Sequence, residues 1–118
     1  MKTSYQTIPA YVTKDGSEIR ELMHPDVHGN VRQSLAEAII QPRQKTQLHR
    51  HLMSEELYHV TQGTGIMSLG ETSLLVGAGD TVHIAPGVAH CVQATGESPL
   101  HILCCCSPAY SHEDTEML

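Results

Sequence analysis

Residues 46–63 read TQLHRHLMSEELYHVTQG. The alternation is that of a β-strand, in which residues i and i+2 share a face. His49 and His51 therefore project side by side, while Leu48, Arg50 and Leu52 take the opposite side. Glu55 and Glu56 follow, and Gly63 ends the run. Two imidazoles on one face, with a carboxylate arriving from the next strand, make most of a first-row metal site. Neutral imidazole nitrogens and a carboxylate oxygen suit one divalent Mn, Fe, Co, Ni, Cu or Zn ion and leave positions open for water or substrate. His90, further along the chain, completes the candidate set His49, His51, Glu56 and His90.

Composition bounds the scaffold. The 118 residues suit a single domain (1–118), long enough for a real core and short for two. Nine glycines and six prolines spread along the chain fit many short strands joined by turns. Only seven Lys and Arg against a net charge of −6 give no basic patch, so nucleic acid is not an expected partner. No apolar run approaches the roughly 20 residues that span a bilayer, and the first residues lack the apolar segment of a signal peptide. A cytoplasmic location is the expectation. With four Tyr and neither Phe nor Trp, the core must be built from Leu, Ile, Val, Met and Cys.

In chain order, residues 1–13 form an arm with β-formers at 3–13 broken by Pro9, an expected edge strand. Lys14-Asp15-Gly16-Ser17 is a turn. Glu18 to His24 has weak helical or strand character, and residues 25–30 form a loop. Ser34 to Gln41 carries Ala and Glu yet is short and meets Pro42, so it is assigned as strand. Further strands are expected at 57–62, 65–69, 72–76, 81–85, 90–94 and 100–106, divided by Gly and Pro turns. Residues 107–118 read as a polar, extended tail. Short strands at near-regular spacing predict an all-β sandwich or barrel.

Two stretches then fit one larger pattern. His49-Arg50-His51, four residues, Glu56, six residues and Gly63 follow H-x-H, three or four residues, Glu, six residues, Gly. Gly79, five residues, Ala85-Pro86-Gly87, two residues and His90 follow G, five residues, P-x-G, two residues, H, three residues, N. Ala85 stands in the proline place, with Pro86 one residue later, and Ala94 stands in the asparagine place. Neither departure removes a ligand. This pattern resembles the cupin superfamily over roughly the central half of the chain, and its spacing selects Glu56 rather than Glu55. The resemblance implies a double-stranded β-helix (cupin, jelly-roll) barrel with a metal near one mouth. It also implies a homodimer, often built by N-terminal strands joining a partner's sheet, a part that residues 3–13 can play.

Other residues complete the expectation. Tyr58 shares parity with Glu56, and Tyr58 or Glu55 is the nearest candidate for proton transfer. Gln47 and Lys45 share parity with the histidine pair and are candidates to hold substrate. His59 and His83 fall out of phase with the lumen. Cys91, Cys104, Cys105 and Cys106 are expected as free thiols that serve as small apolar residues, with a redox role near the metal as the alternative. The resemblance implies an isomerase, decarboxylase or dioxygenase, and the lack of Phe and Trp to stack on a sugar favours a small polar or anionic metabolite as its substrate. The competing reading is a non-catalytic barrel that holds a metal or a small-molecule ligand.

Overall fold

A computed structural model describes residues 1–118. Eleven strands are present: β1 (Tyr11–Val12), β2 (Glu18–Met23), β3 (Ser34–Ile40), β4 (His49–His51), β5 (Glu55–Gln62), β6 (Thr64–Leu69), β7 (Thr72–Gly77), β8 (Thr81–Ile84), β9 (His90–Ala94), β10 (Leu100–Ser107) and β11 (Thr115–Met117). They form two antiparallel sheets, ordered β1-β2-β3-β10-β5-β8 and β11-β4-β9-β6-β7. This is the all-β architecture expected from the spacing of turns, in the jelly-roll form that the cupin resemblance implies.

Alternation decides the local structure where propensity alone would not. In β3, Ser34, Ala36, Ala38 and Ile40 are buried while Leu35, Glu37 and Ile39 face outward or sit half-buried. Its Ala and Glu favour helix, but a helix would not put every second residue against the opposing sheet. In β10, Leu100, Ile102, Cys104 and Cys106 face inward. Gly63 ends β5 at φ 87°, and a Cβ there would lie 2.6 Å from the carbonyl oxygen of Pro99. Only glycine fits that approach.

The interior has two ends of different character. At one end Ile40, Val60, Met67, Val92, Ala94, Leu100 and Ile102 close the barrel with apolar side chains. At the other, two inward rows cross the first sheet. One runs Ser34–Cys106–Glu56–Ile84, and the next runs Glu21–Ala36–Cys104–Tyr58–Val82. Small residues in these rows leave space instead of filling it. The polar end of the barrel is thus hollow because β3 and β10 carry Ser, Ala and Cys where the other end carries Ile and Leu.

Three segments depart from the sequence-based expectation. The arm at 1–13 contributes only the two-residue edge strand β1, preceded by a single 3-10 turn at Tyr5–Thr7. Residues expected as loop contain one helical turn, α1 (Pro25–His28). Pro25 is pre-set for a first turn, His24 caps it by accepting from the Asp26 amide, and Gly29 ends it at φ 82°. Residues 107–118 are not an extended tail. They fold back so that β11 pairs with β4, Thr115 opposite His51 and Met117 opposite His49. The Asp114 carboxylate accepts the Met53 and Ser54 amides at 2.8 and 3.0 Å, so its charge terminates a loop rather than meeting solvent. No helix is long and apolar enough to cross a membrane.

Candidate metal centre

His49 on β4 and His90 on β9 are direct cross-strand partners, and His51 lies two residues along the same face. All three are buried, at 3, 4 and 0 % exposure for His49, His51 and His90. One nitrogen of each lies within 4.8 Å of the others. Glu56 arrives from β5 in the opposing sheet, so the cluster sits between the sheets at the hollow end.

The hydrogen bonds fix which nitrogens face inward. His49 Nδ1 contacts the Gln47 carbonyl at 2.8 Å and His90 Nδ1 the Val88 carbonyl at 2.9 Å. A carbonyl only accepts, so both Nδ1 atoms carry the proton. His51 Nδ1 contacts Thr115 Oγ1 at 3.1 Å, and that hydroxyl donates to the Ser111 carbonyl at 2.8 Å. With its proton committed, Thr115 Oγ1 accepts from His51. In the neutral rings all three Nε2 atoms therefore present lone pairs, the tautomer a metal-binding histidine needs, fixed by partners behind the ring.

Glu56 Oε1 lies 3.2 Å from His51 Nε2 and 3.4 Å from His90 Nε2. Two atoms bound to one ion at about 2.1 Å stand roughly 3.0 Å apart at right angles and roughly 3.4 Å apart in a tetrahedron. Neither Glu56 Oε1 nor His90 Nε2 has a hydrogen-bond partner. Lone pairs crowded together with no donor between them repel one another, and a cation relieves the repulsion. The residues present fit a divalent transition ion.

The electrostatics follow from the same crowding. Burial alone would raise the Glu56 carboxyl, but positive charge at the inward Nε2 atoms, which in the metal-free chain is a proton on His51 or His90 donated to Glu56, outweighs it and brings it down from an ordinary 4.5 to about 2. Burial and the neighbouring His90 push the His49 imidazole below its ordinary value. Glu56 Oε2 accepts from the Cys106 thiol at 3.1 Å. Burial and the Glu56 charge hold that thiol, and the Cys104 thiol, protonated far above the usual range. Tyr58 is likewise held protonated, by burial first and by Glu56 second.

A cavity of about 50 Å³ opens beside these groups, walled in part by Tyr58, Cys104, Cys106, Tyr110 and Asp15. A water needs about 10–15 Å³ on the same scale, so the space accepts a few small polar groups. Tyr58 stands edge-on to His90 at 5.9 Å and Tyr110 edge-on to His51 at 5.7 Å between ring centres.

The structure brings together His49, His51, Glu56 and His90, with Tyr58 on the cavity wall. It does not bring in the other expected residues. Glu55 points outward, as the residue next to an inward Glu56 must, and is 2.9 Å from His83 Nε2 at the surface. Lys45 and Gln47 are exposed and border a separate surface groove. The parity argument fails for them because regular strand begins only at His49: Thr46, not Lys45 or Gln47, turns inward. Gln47 serves through its backbone carbonyl instead. His59 and His83 lie away from the lumen as expected, bonded to Thr81 and Glu55. Sequence reasoning missed Thr115, Tyr110 and Asp15. The only available signal was the run of polar side chains in segments read as tail and turn.

A family model described as Cupin domain matches residues 36–106. The chain belongs to the cupin family. It is 51 % identical over 118 residues, all of this chain and 94 % of the relative, to the uncharacterized protein MJ1618 of Methanocaldococcus jannaschii. Among solved structures it is similar to a Streptomyces PAC13 variant with uridine, at 14 % identity and TM-score 0.81, covering 99 % of this chain and 89 % of that one. It is also similar to a predicted oxalate decarboxylase from Thermotoga maritima, at 20 % identity and TM-score 0.80, covering 92 % and 99 % of the two chains. These structural likenesses establish the cupin fold. They leave the reaction to be argued from the centre itself.

Proposed function

We propose that this cupin is a metal-dependent enzyme acting on a small polar metabolite, with the ion held by His49, His51, Glu56 and His90. One observation carries the reading: three buried imidazoles, each with its Nδ1 proton committed to a fixed acceptor, aim bare Nε2 lone pairs at a shared point beside a carboxylate. A bound divalent ion supplies Lewis acidity toward a substrate carbonyl or carboxylate, or a site for O₂. That range takes in isomerase, decarboxylase and dioxygenase chemistry, and proteins of similar fold include a nucleoside dehydratase and a predicted oxalate decarboxylase.

The chain's own groups act around that point. Tyr58, held protonated, donates a hydrogen bond to oxygen on the substrate rather than removing a proton. Cys106 donates to Glu56 and orients it. The Tyr110 ring covers His51 and keeps bulk water from that side, and the small cavity restricts the substrate to a few heavy atoms beyond its metal-binding end. Glu55 takes no part, because it faces solvent.

Homodimer formation belongs to the same reading. The outer face of the first sheet sets Leu35, Cys105 and Leu57 in one row, with Leu35 and Leu57 at 37 and 43 % exposure. Light scattering after size exclusion tests it, and a monomer at micromolar concentration refutes it.

Elemental analysis of protein purified without chelator tests the function. Near-stoichiometric transition metal is expected, lost in His49→Ala and His90→Ala. A wild-type chain that takes up none of Mn, Fe, Co, Ni, Cu or Zn after reloading refutes the enzyme reading.

A further inference from the structure

Glu56 faces the inward nitrogens of His51 and His90, but the nitrogen of His49 faces a different carboxylate. Asp15 Oδ2 lies 3.9 Å from His49 Nε2, with the two side chains at 13 and 4 % exposure. That spacing is too long for a hydrogen bond. It falls inside the span of two atoms bound to one ion, about 3.0 Å for adjacent and about 4.2 Å for opposite positions at bond lengths near 2.1 Å.

Asp15 is held there from three directions. Its carbonyl accepts the Gln47 amide at 2.9 Å, which pins the β1–β2 turn to the approach to β4. Oδ1 is occupied by the Ser17 amide at 2.9 Å and the Ser17 hydroxyl at 2.6 Å, and Ser17 is itself buried at 3 % exposure. Oδ2 is left as the oxygen that faces His49. The Asp15 charge is also felt by His49, Tyr58 and Cys104, as expected of a group turned into the lumen.

We propose that Asp15 is a second carboxylate ligand of the metal centre, beside Glu56, so that three histidines and two carboxylates would hold one ion. This rests on the metal-binding reading above and adds a residue from outside both sequence motifs. Five protein ligands exceed the four of a tetrahedral zinc site and match the octahedral preference of Mn or Fe, with one position left for substrate. The β1–β2 turn thereby becomes part of the centre.

Mn²⁺ affinity measured by the EPR signal of the free ion tests the assignment, on wild type, Asp15→Asn and Ser17→Ala. The amide keeps an oxygen for Ser17, so the turn and the melting temperature of the metal-free protein should survive. Asp15→Asn should weaken Mn²⁺ at least about tenfold and Zn²⁺ less. Ser17→Ala, which frees the carboxylate to rotate, should fall between wild type and Asp15→Asn. A crystal structure of the Mn²⁺-loaded wild type gives a second reading that does not depend on any variant folding. Asp15 Oδ2 within about 2.3 Å of the ion supports the proposal, and a separation beyond about 3 Å overturns it. Wild-type Mn²⁺ affinity in a folded Asp15→Asn overturns it while leaving the metalloenzyme reading intact. A wild-type protein that binds no divalent ion overturns both.

Discussion

Replacing Thr115 with valine is the most informative single change at the centre, because it alters no ligand and almost no volume. Thr115 Oγ1 sits between His51 Nδ1 at 3.1 Å and the Ser111 carbonyl at 2.8 Å. Valine deletes both hydrogen bonds and leaves the Nδ1–H of His51, 4 % exposed, without a partner. A buried donor left unpaired costs about 1–3 kcal/mol, so the metal-free protein should melt several degrees lower, at about 4 °C per kcal/mol for a chain of this size. The ring is then free to turn or change tautomer, and loss of such a partner typically weakens metal binding about 10- to 100-fold, roughly 1.4–2.7 kcal/mol. Competition against a chelator of known affinity reads the second effect, and differential scanning calorimetry reads the first. Thr115→Ser keeps the hydroxyl and should bind metal as wild type does. If Thr115→Val holds metal as tightly as wild type, the argument that the backing hydrogen bonds set the Nε2 lone pairs is wrong.

Further outcomes follow from the same geometry. His49→Ala and His90→Ala should each lose metal while keeping the β-sheet circular dichroism spectrum, since the apolar core lies at the other end of the barrel; a collapse of the spectrum in both would mark the cluster as structural. The metal-free protein should lose stability toward acid in two stages. His49, with its folded value lowered, makes the unfolded chain the better proton acceptor just below 6.5, so stability declines as pH falls from there. Glu56, lowered from 4.5 to about 2, contributes stability that is full above about 4.5 and is lost as pH falls toward about 2. Urea titrations from pH 8 to pH 3 check both signs, and stability that rises toward acid would contradict them. Cys104 and Cys106, held as thiols by burial, should resist a thiol-reactive dye at pH 8 in the folded protein and react on unfolding, with mass spectrometry locating the label. Gly63→Ala should cost at least about 1–3 kcal/mol in thermal melts, from φ 87° and the 2.6 Å approach to Pro99.

Much of this was legible before any coordinates. The strand pattern is carried by turn residues and alternation, both local, and β3 shows alternation prevailing over helix-favouring Ala and Glu. His49 and His51 were legible because strand parity is local, while Glu56 and His90 were legible through the spacing of the two stretches that resemble the cupin pattern. The rest depends on contacts between distant parts of the chain. Thr115 and His51 are 64 residues apart, and three-residue β11 has too little pattern to distinguish it from a polar tail. Asp15 reads as a turn former, which it is, and only the pairing of that turn with Gln47 shows where its carboxylate points. Lys45 and Gln47 failed for the opposite reason: a local rule was extended across residues that are not yet strand.

The pairing of β11 with β4 bears on how the protein is made. During synthesis His49, His51, Glu56 and His90 all emerge before Thr115, so the imidazoles exist for a time without the partner that orients His51. On the proposed metal-binding reading, an ion acquired in that interval would meet a looser site, and tight loading would wait for the last strand to dock. A chain cut short ahead of residue 115 would therefore keep every proposed ligand and still be a poor metal binder, so that retention of an ion would double as a check that the strand has arrived.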